Sequence, residues 1–183
     1  MLYIISGKYK GFKLNSVPSI RTRSTSHLLR KSLFDTISDF IDKSIVLDLF
    51  AGSGAYGFEA LSRNAKQIYL VENFFLSFQI IKKNKIKLKL KEEEIKIFYS
   101  DAFKMLKFFN KKNIIFDLII LDPPYFSNFY PLIFANLDSI THDKSLIVVE
   151  THYKTLLPPQ MDNFVFLKYK KFGTKKINFY KKI

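Results

Sequence analysis

Apolar residues along the chain occur in two kinds of segment that follow one another. One kind is a short continuous apolar run, and the other repeats apolar residues at helical spacing. Strand-forming runs occupy 44–50, 67–72, 95–101, 116–122 and 145–150. The segments between them repeat apolar residues at helical spacing. Strands separated by helices need crossover connections, which predict a mostly parallel sheet. The pattern therefore predicts an α/β fold with a doubly wound, Rossmann-like sheet.

The first predicted helix begins after a polar loop at 21–26, where Thr25 or Ser26 supplies a cap. One face of this helix carries the apolar residues Leu29, Leu33, Phe34, Ile37 and Ile41. Further helices are predicted near 56–63, 74–91, 102–109 and 129–138.

The two ends of the chain depart from this alternation. Residues 3–14 predict a short hairpin with Gly7 and Gly11 near its turn. The tail at 164–182 predicts two strands joined near Gly173, and therefore an antiparallel edge. We predict an N-terminal extension over 1–25, with its β-hairpin packed on one domain that spans 26–183.

Composition restricts the partners and the compartment. The 183 residues contain 30 Lys and Arg against 16 Asp and Glu, a net charge of +14, and this excess favours a polyanionic partner, DNA or RNA. Drift towards lysine in an AT-rich genome is the alternative. The chain has no cysteine, which excludes disulfides and thiolate chemistry. No apolar run approaches the roughly 18 residues of a membrane span. We expect a cytoplasmic monomer that contacts no membrane and has no metal-ligating residues.

A glycine turn follows the first predicted strand of the domain. Gly52, Gly54 and Gly57 lie in DLFAGSGAYGFEA, between a strand and a helix, where glycine lets the backbone approach a ligand closely. A GxG turn alone is also common as a simple tight turn. The run matches G-x-G-x-x-G, so the turn points to a nucleotide cofactor or to no ligand at all.

Acidic residues stand at or near the ends of four successive predicted strands. They are Asp48, Glu72, Asp101 and Asp122. The carboxyl ends of parallel strands meet at one edge, where ligands of open α/β sheets bind. Each acid alone could cap the next helix, but four acids beside a glycine turn favour a binding site. Glu72 is placed to accept both hydroxyls of a ribose.

These acids select between two nucleotide cofactors. NAD presents a pyrophosphate to a helix N-terminus, and carboxylates would oppose it. S-adenosylmethionine has no phosphate and carries a sulfonium and an ammonium group, so an acidic edge suits it. The sequence therefore favours S-adenosylmethionine.

Four segments in chain order carry a family resemblance: DLFAGSGAYGFEALSRNA, VEN, SDAF and LDPPY. Together they resemble the bacterial methyltransferases of the RsmD type, which modify the exocyclic N2 of one guanine in 16S ribosomal RNA. The opening ISGKYKGFKL is similar to that family's first hairpin. The resemblance implies a class I methyltransferase whose partner is 16S rRNA, free or within the assembling small subunit.

The resemblance also implies roles for individual residues. Asp48 and the turn at 52–54 would hold the methionine part of the cofactor, Glu72 the ribose, and Asp101 the adenine amino group with the Ala102 backbone. The full set of predicted cofactor contacts is Asp48, Phe50, Ala51, Gly52, Gly54, Glu72, Asn73, Asp101 and Ala102. The predicted catalytic residues are Asp122, Pro123, Pro124 and Tyr125.

The segment RSTSHLLRKSLF at 23–34 departs from the family pattern R-P-T-x-D-R-V-R-E-x-L-F. Ser24, His27, Leu28 and Lys31 replace Pro, Asp, Arg and Glu, so the contacts of this segment to RNA or cofactor stay open. The RNA contacts that we predict are Lys8, Lys10, Arg21, Arg23 and Arg30. The basic stretches 81–91 and 168–182 are either phosphate-binding surfaces or solvated faces.

LDPPY is suited to methylating an exocyclic amine, whose lone pair is delocalised into the base. The Asp122 carboxylate and the Pro123 carbonyl can each accept one N–H, which turns the lone pair towards the methyl group. Rigid prolines fix both acceptors, and Tyr125 can stack on the base. Three alternatives remain: a DNA adenine-N6 methyltransferase, a non-catalytic RNA-binding or assembly protein of this fold, and a nicotinamide oxidoreductase.

Overall fold

The computed structural model describes residues 1–16, 27–123 and 129–183, and all structural statements concern these residues. Its helices are α1 His27–Thr36, α2 Ala55–Ser62, α3 Phe75–Lys87, α4 Ala102–Lys111 and α5 Phe129–Phe134. Its strands are β1 Leu2–Tyr3, β2 Lys13–Leu14, β3 Ile45–Asp48, β4 Gln67–Glu72, β5 Ile95–Tyr99, β6 Phe116–Leu121, β7 Thr141–His152, β8 Gln160–Met161, β9 Phe164–Phe172 and β10 Lys175–Lys182.

The main sheet has eight strands in the order β5-β4-β3-β6-β7-β10-β9-β8. The strands β5 to β7 in this order pair in parallel, whereas β10, β9 and β8 pair antiparallel. The predicted fold class, including the antiparallel C-terminal edge, is therefore confirmed. The short strand β8 was not predicted.

Two hydrophobic clusters lie on the two faces of this sheet. Side chains of α1, α2 and α3 cover one face, and side chains of α4 and α5 cover the other. The residues predicted for the inner face of the first helix are all buried: Leu29, Leu33, Phe34, Ile37 and Ile41. Ile37 and Ile41 lie beyond α1, on either side of a 3-10 turn at Ser38–Phe40.

The N-terminal hairpin is held to the domain by a buried carboxylate of α2. β1 and β2 pair antiparallel, as predicted. Glu59 accepts hydrogen bonds from the backbone N–H groups of Ile5 and Ser6 at 2.7 and 3.2 Å. The predicted boundary at residue 25 lies outside the described residues, so this division of the chain stays a prediction.

Arg30 belongs to this buried junction. Its side chain is 1% exposed, its Nη2 donates to the Tyr3 carbonyl, and its Nε lies 3.8 Å from Glu59 Oε2. A buried guanidinium paired with a buried carboxylate cannot reach an RNA phosphate. The prediction that Arg30 contacts RNA is therefore wrong, since α1 turns this side chain into the core.

We expect Glu59→Ala to lower the free energy of unfolding by about 3–5 kcal/mol, because it leaves Arg30 buried without its carboxylate. Urea unfolding followed by circular dichroism measures this loss. Glu93→Ala is the control, because Glu93 is exposed and lies 3.8 Å from Lys91, and it should change the midpoint little. Equal midpoints for the two variants would contradict the role of Glu59.

Candidate active site

The acids predicted to share one edge of the sheet do lie at that edge. Asp48 ends β3 and Glu72 ends β4, while Asp122 follows β6 and Asp101 follows β5. β3 lies between β4 and β6. The chain therefore changes direction across the sheet at β3, which is the point where open α/β sheets bind their ligands.

Asp48 is a buried carboxylate with unused hydrogen-bonding capacity. Its side chain is 1% exposed. Its Oδ2 accepts from the Gly57 N–H at 3.2 Å, and its Oδ1 is buried without a partner among the described residues. Burial raises the pKa of Asp48 to about 7, and the nearby carboxylates of Glu72 and Glu150 also raise it. A cationic ligand at Oδ1 would stabilise the ionised form.

The glycine turn and Glu72 form one hydrogen-bonded unit. The Gly52 N–H donates to Glu72 Oε2 at 2.7 Å, and the Phe74 N–H donates to Oε1 at the same distance. Gly54 adopts φ +79° at the start of α2, a conformation that favours glycine. A Cβ on Gly57 would lie 2.3 Å from the Leu70 side chain, so glycine here lets α2 pack closely on β4.

Asn84 supports the same turn and was missed by the sequence reasoning. It is fully buried in α3, and its Nδ2 lies 3.3 Å from the Ser53 carbonyl. The same group donates to the Asn15 carbonyl at 3.1 Å, and Oδ1 accepts from the Asn15 N–H at 2.7 Å. The sequence did contain a signal for this role, because Asn84 lies three residues after Ile81 and therefore on the buried face of a basic helix.

Asp101 serves as the cap of α4. Its Oδ1 accepts from the Phe103 and Lys104 N–H groups at 2.9 and 3.1 Å. Asp101 therefore caps a helix, which is the alternative that the sequence left open for each acid. Both hydrogen bonds use Oδ1, and neither uses Oδ2. The adenine contact of Asp101 stays a prediction, as do those of Phe50, Ala51, Asn73 and Ala102. Phe50 and Ala51 precede the glycine turn, Asn73 follows β4, and Ala102 begins α4.

Asp122 and Pro123 lie directly after β6, Asp122 half-buried and Pro123 buried. Burial raises the pKa of the Asp122 carboxyl well above its usual range, and the charges of Glu150 and Asp48 raise it further. Lys175 acts in the opposite direction. Pro124 and Tyr125 lie outside the described residues.

Glu150 is a fifth acid of this edge, and the sequence reasoning missed it. It is 1% exposed near the end of β7, accepts from the Tyr56 hydroxyl at 2.5 Å, and forms an ion pair with Lys175. Ile177 of β10 pairs with Glu150, so Lys175 lies two residues along on the same face of the sheet. The signal for Glu150 was present, since SLIVVE ends in an acid like the other strands.

The remaining predicted RNA contacts are spread over the N-terminal region. Lys8 and Lys10 are exposed in the hairpin, where Lys8 Nζ lies 3.9 Å from Glu94. Arg21 and Arg23 lie outside the described residues. Within the part of the chain that the structure describes, no group of three or more His, Cys, Asp or Glu could hold a metal ion. No helix in that part is long and apolar enough to cross a membrane.

The sequence matches a family model over residues 2–181, nearly the whole chain, and the model is described as conserved hypothetical protein 95. The chain belongs to this family. The acid-lined edge and the glycine turn described above therefore belong to a member of this family.

The chain is similar to known proteins over most of its length. It is 34% identical over 173 residues to Ribosomal RNA small subunit methyltransferase D of Haemophilus influenzae, covering 93% of the chain and 88% of the relative. The protein of the same name from Buchnera aphidicola subsp. Baizongia pistaciae is 34% identical over 184 residues, covering 97% and 89%. A solved structure of yhhF from Escherichia coli superposes with a TM-score of 0.86 at 29% identity, covering 99% and 97%.

Proposed function

We propose that the protein is an S-adenosylmethionine-dependent methyltransferase that modifies the exocyclic N2 amine of a guanine in 16S ribosomal RNA. The observation that carries the proposal is the edge formed by Asp48, Glu72 and Asp122 around the glycine turn. The buried Asp48 carboxylate, whose Oδ1 has no partner among the described residues, suits a cationic cofactor that lacks phosphate. The relatives named Ribosomal RNA small subunit methyltransferase D support both the reaction and the RNA partner.

The residues at this edge fit S-adenosylmethionine better than a dinucleotide. The Asp48 carboxylate faces the N-terminal turn of α2 and accepts from Gly57, so it occupies a position where a pyrophosphate would otherwise bind. Its free Oδ1 suits an ammonium group, and Glu72 suits a ribose diol. S-adenosylmethionine, when bound, supplies a methyl group on an electrophilic sulfonium. These contacts disfavour the nicotinamide oxidoreductase alternative.

Asp122 and Pro123 prepare the amine for transfer. The carboxylate and the Pro123 carbonyl each accept an N–H of the guanine amine, which turns its lone pair out of the ring plane. Methyl transfer then depends mainly on in-line positioning of donor and acceptor. Tyr125 stacks on the base in this proposal, and Pro124 holds the backbone rigid.

The test is methyl transfer to deproteinised 16S rRNA and to small subunits from a strain that lacks this enzyme. Nucleoside digestion should release N2-methylguanosine at one position. Methylation of adenine N6 in DNA would favour the second candidate, a DNA methyltransferase. Absence of transfer to any nucleic acid by protein that binds the cofactor would favour the non-catalytic alternative. The monomeric state, the cytoplasmic location and the assembling subunit as substrate stay predictions from the sequence.

We expect Glu72→Gln to weaken S-adenosylmethionine binding by roughly 10- to 100-fold, because a charge-assisted hydrogen bond contributes about 1.5–3 kcal/mol. Isothermal titration calorimetry measures the affinity. Glu94→Gln, which changes an acid near the N-terminal hairpin, is the matched control. Unchanged affinity in folded Glu72→Gln protein would remove the ribose role of this residue.

A further inference from the structure

The C-terminal hairpin and the loop after β7 bring lysines and tyrosines together on one surface. The ammonium of Lys171 in β9 lies 4.5 Å from the ring centre of Tyr153, and that of Lys154 lies 5.8 Å from the same ring. Tyr169 is 59% exposed, with the Lys176 ammonium 5.5 Å from its ring centre. These residues, Tyr153, Lys154, Tyr169, Lys171 and Lys176, are here called the hairpin face.

The hairpin face is held in place by two hydrogen bonds to the backbone. Lys176 is only 8% exposed, and its Nζ donates to the Thr155 carbonyl at 2.7 Å. The Tyr153 N–H donates to the Thr174 carbonyl at 2.9 Å. These bonds hold the loop after β7 against β10, so the aromatic rings are preorganised in the free protein.

The charge of this part of the chain is entirely positive. Residues 163–183 contain seven lysines and no aspartate or glutamate. The face therefore attracts a polyanion without a competing internal carboxylate from its own hairpin. The exposed Tyr169 and the partly buried Tyr153 lie among lysines. This arrangement suits a single-stranded nucleic acid, because bases stack on aromatic rings while ammonium groups contact phosphates.

The hairpin face also adjoins the proposed active site. Tyr153 directly follows β7. The strands β6 and β7 pair in parallel, so their carboxyl ends are neighbours, and Asp122 directly follows β6. Lys175, at the tip of the same hairpin, forms an ion pair with the buried Glu150. Lys175 lies on the opposite face of β10 from Lys176, so the hairpin face approaches Asp122 through the loop after β7, at the carboxyl edge of the sheet and on the side of β6 away from the glycine turn.

We propose that the hairpin face is the docking surface for the unpaired RNA strand next to the target guanine. The proposal rests on the proposed function for the identity of the RNA, and it assigns the substrate-binding role to residues outside the catalytic and cofactor sites. The basic stretch 168–182 is then a phosphate-binding surface and not only a solvated face.

The experiment compares Lys171→Glu and Tyr169→Ala with Lys112→Glu. Lys112 follows α4 and is exposed at the opposite edge of the sheet, so it supplies the same charge change at a distant place. Filter binding to deproteinised 16S rRNA over a series of KCl concentrations gives Kd and its salt dependence. Methyl-transfer kinetics give kcat and KM, and calorimetry gives the affinity for S-adenosylmethionine.

For Lys171→Glu we expect a higher KM for RNA, unchanged kcat, and a log–log salt slope that is shallower by about 0.7–1. For Tyr169→Ala we expect a Kd raised roughly 5- to 100-fold with the wild-type slope, because a stacked base is lost. Cofactor affinity and the unfolding midpoint should match wild type for both, and Lys112→Glu should leave Kd within about twofold.

Two results would overturn the docking surface: RNA affinities of both variants equal to that of the wild-type protein, or an equal loss of affinity for Lys112→Glu. Failure of the proposed function is a separate outcome. It would appear as wild-type protein that methylates no RNA, whereas the Kd comparison would still decide whether the hairpin face binds RNA.

Discussion

We expect Asp122→Ala to abolish methyl transfer while the protein still binds S-adenosylmethionine and remains as stable as wild type. The variant removes the acceptor that orients the guanine amine, and loss of one preorganised group of this kind costs about 10²–10³-fold in turnover. The same carboxyl lies close to Glu150 and Asp48, whose charges raise its pKa. Its removal relieves repulsion between carboxylates, so the unfolding midpoint should not fall.

Asp117 provides the matched control because it lies near the opposite end of the same strand, β6. Its Oδ2 accepts from the Ile45 N–H at 2.7 Å, and its Oδ1 lies 2.8 Å from His142 Nε2. Asp117→Ala should therefore lower the unfolding midpoint and preserve the turnover of the folded fraction. Asp122→Asn should also be inactive, because one acceptor oxygen becomes an amide donor.

Turnover and thermal unfolding should be measured on the same preparations, with cofactor affinity as the check on the site. A folded Asp122→Ala protein that retains methylation would exclude this carboxylate from the reaction. A loss of stability equal to that of Asp117→Ala would mean that Asp122 mainly ends a strand.

Most of the fold and much of the site could be predicted from local patterns. Apolar runs and helical spacing indicated the parallel strands, and an acid at each strand end indicated a shared edge. This inference works because parallel strands carry their carboxyl ends to one side by geometry alone. It does not depend on any side-chain contact, so Asp48 and Glu72 could be placed beside the glycine turn without coordinates.

Contacts between distant segments could not be predicted in the same way. The pairing of Lys175 with Glu150 depends on the register of β10 against β7, which a one-residue shift would reverse. Arg30 shows a different failure. It lies three and four residues before Leu33 and Phe34, on the buried face of α1, yet its charge led to a surface role. The buried Glu59 that compensates this charge is 29 residues away in sequence.

Lys175 is expected to set the pH range of the reaction. The Asp122 carboxylate is a stronger acceptor for the N–H of the amine than the protonated carboxyl, which also presents an O–H donor, so turnover should rise with pH through the pKa of Asp122. Burial, Glu150 and Asp48 raise that pKa, whereas the Lys175 ammonium lowers it. Removal of the ammonium therefore raises the pKa further, and the acidic limb of the pH profile should move to higher pH.

We expect the acidic limb of Lys175→Met to lie at higher pH than that of the wild-type protein, with turnover recovered above it, whereas Lys175→Arg keeps the wild-type limb. On the acidic limb, turnover falls about tenfold for each pH unit below the pKa, so even a modest movement is measurable. The comparison uses kcat at saturating RNA, since Lys175 precedes Lys176 of the hairpin face in β10 and its removal also changes the charge beside that face.

Lys181→Met is the charge-matched control. Lys181 is exposed on β10 and pairs with Leu146, towards the other end of β7, so its removal should leave the limb where it is. An acidic limb that does not move in Lys175→Met would show that this ammonium stabilises the fold without affecting Asp122. A movement reproduced by Lys181→Met would assign the effect to net charge. A movement in Lys175→Met alone would assign it to the contact of Lys175 with the acidic edge.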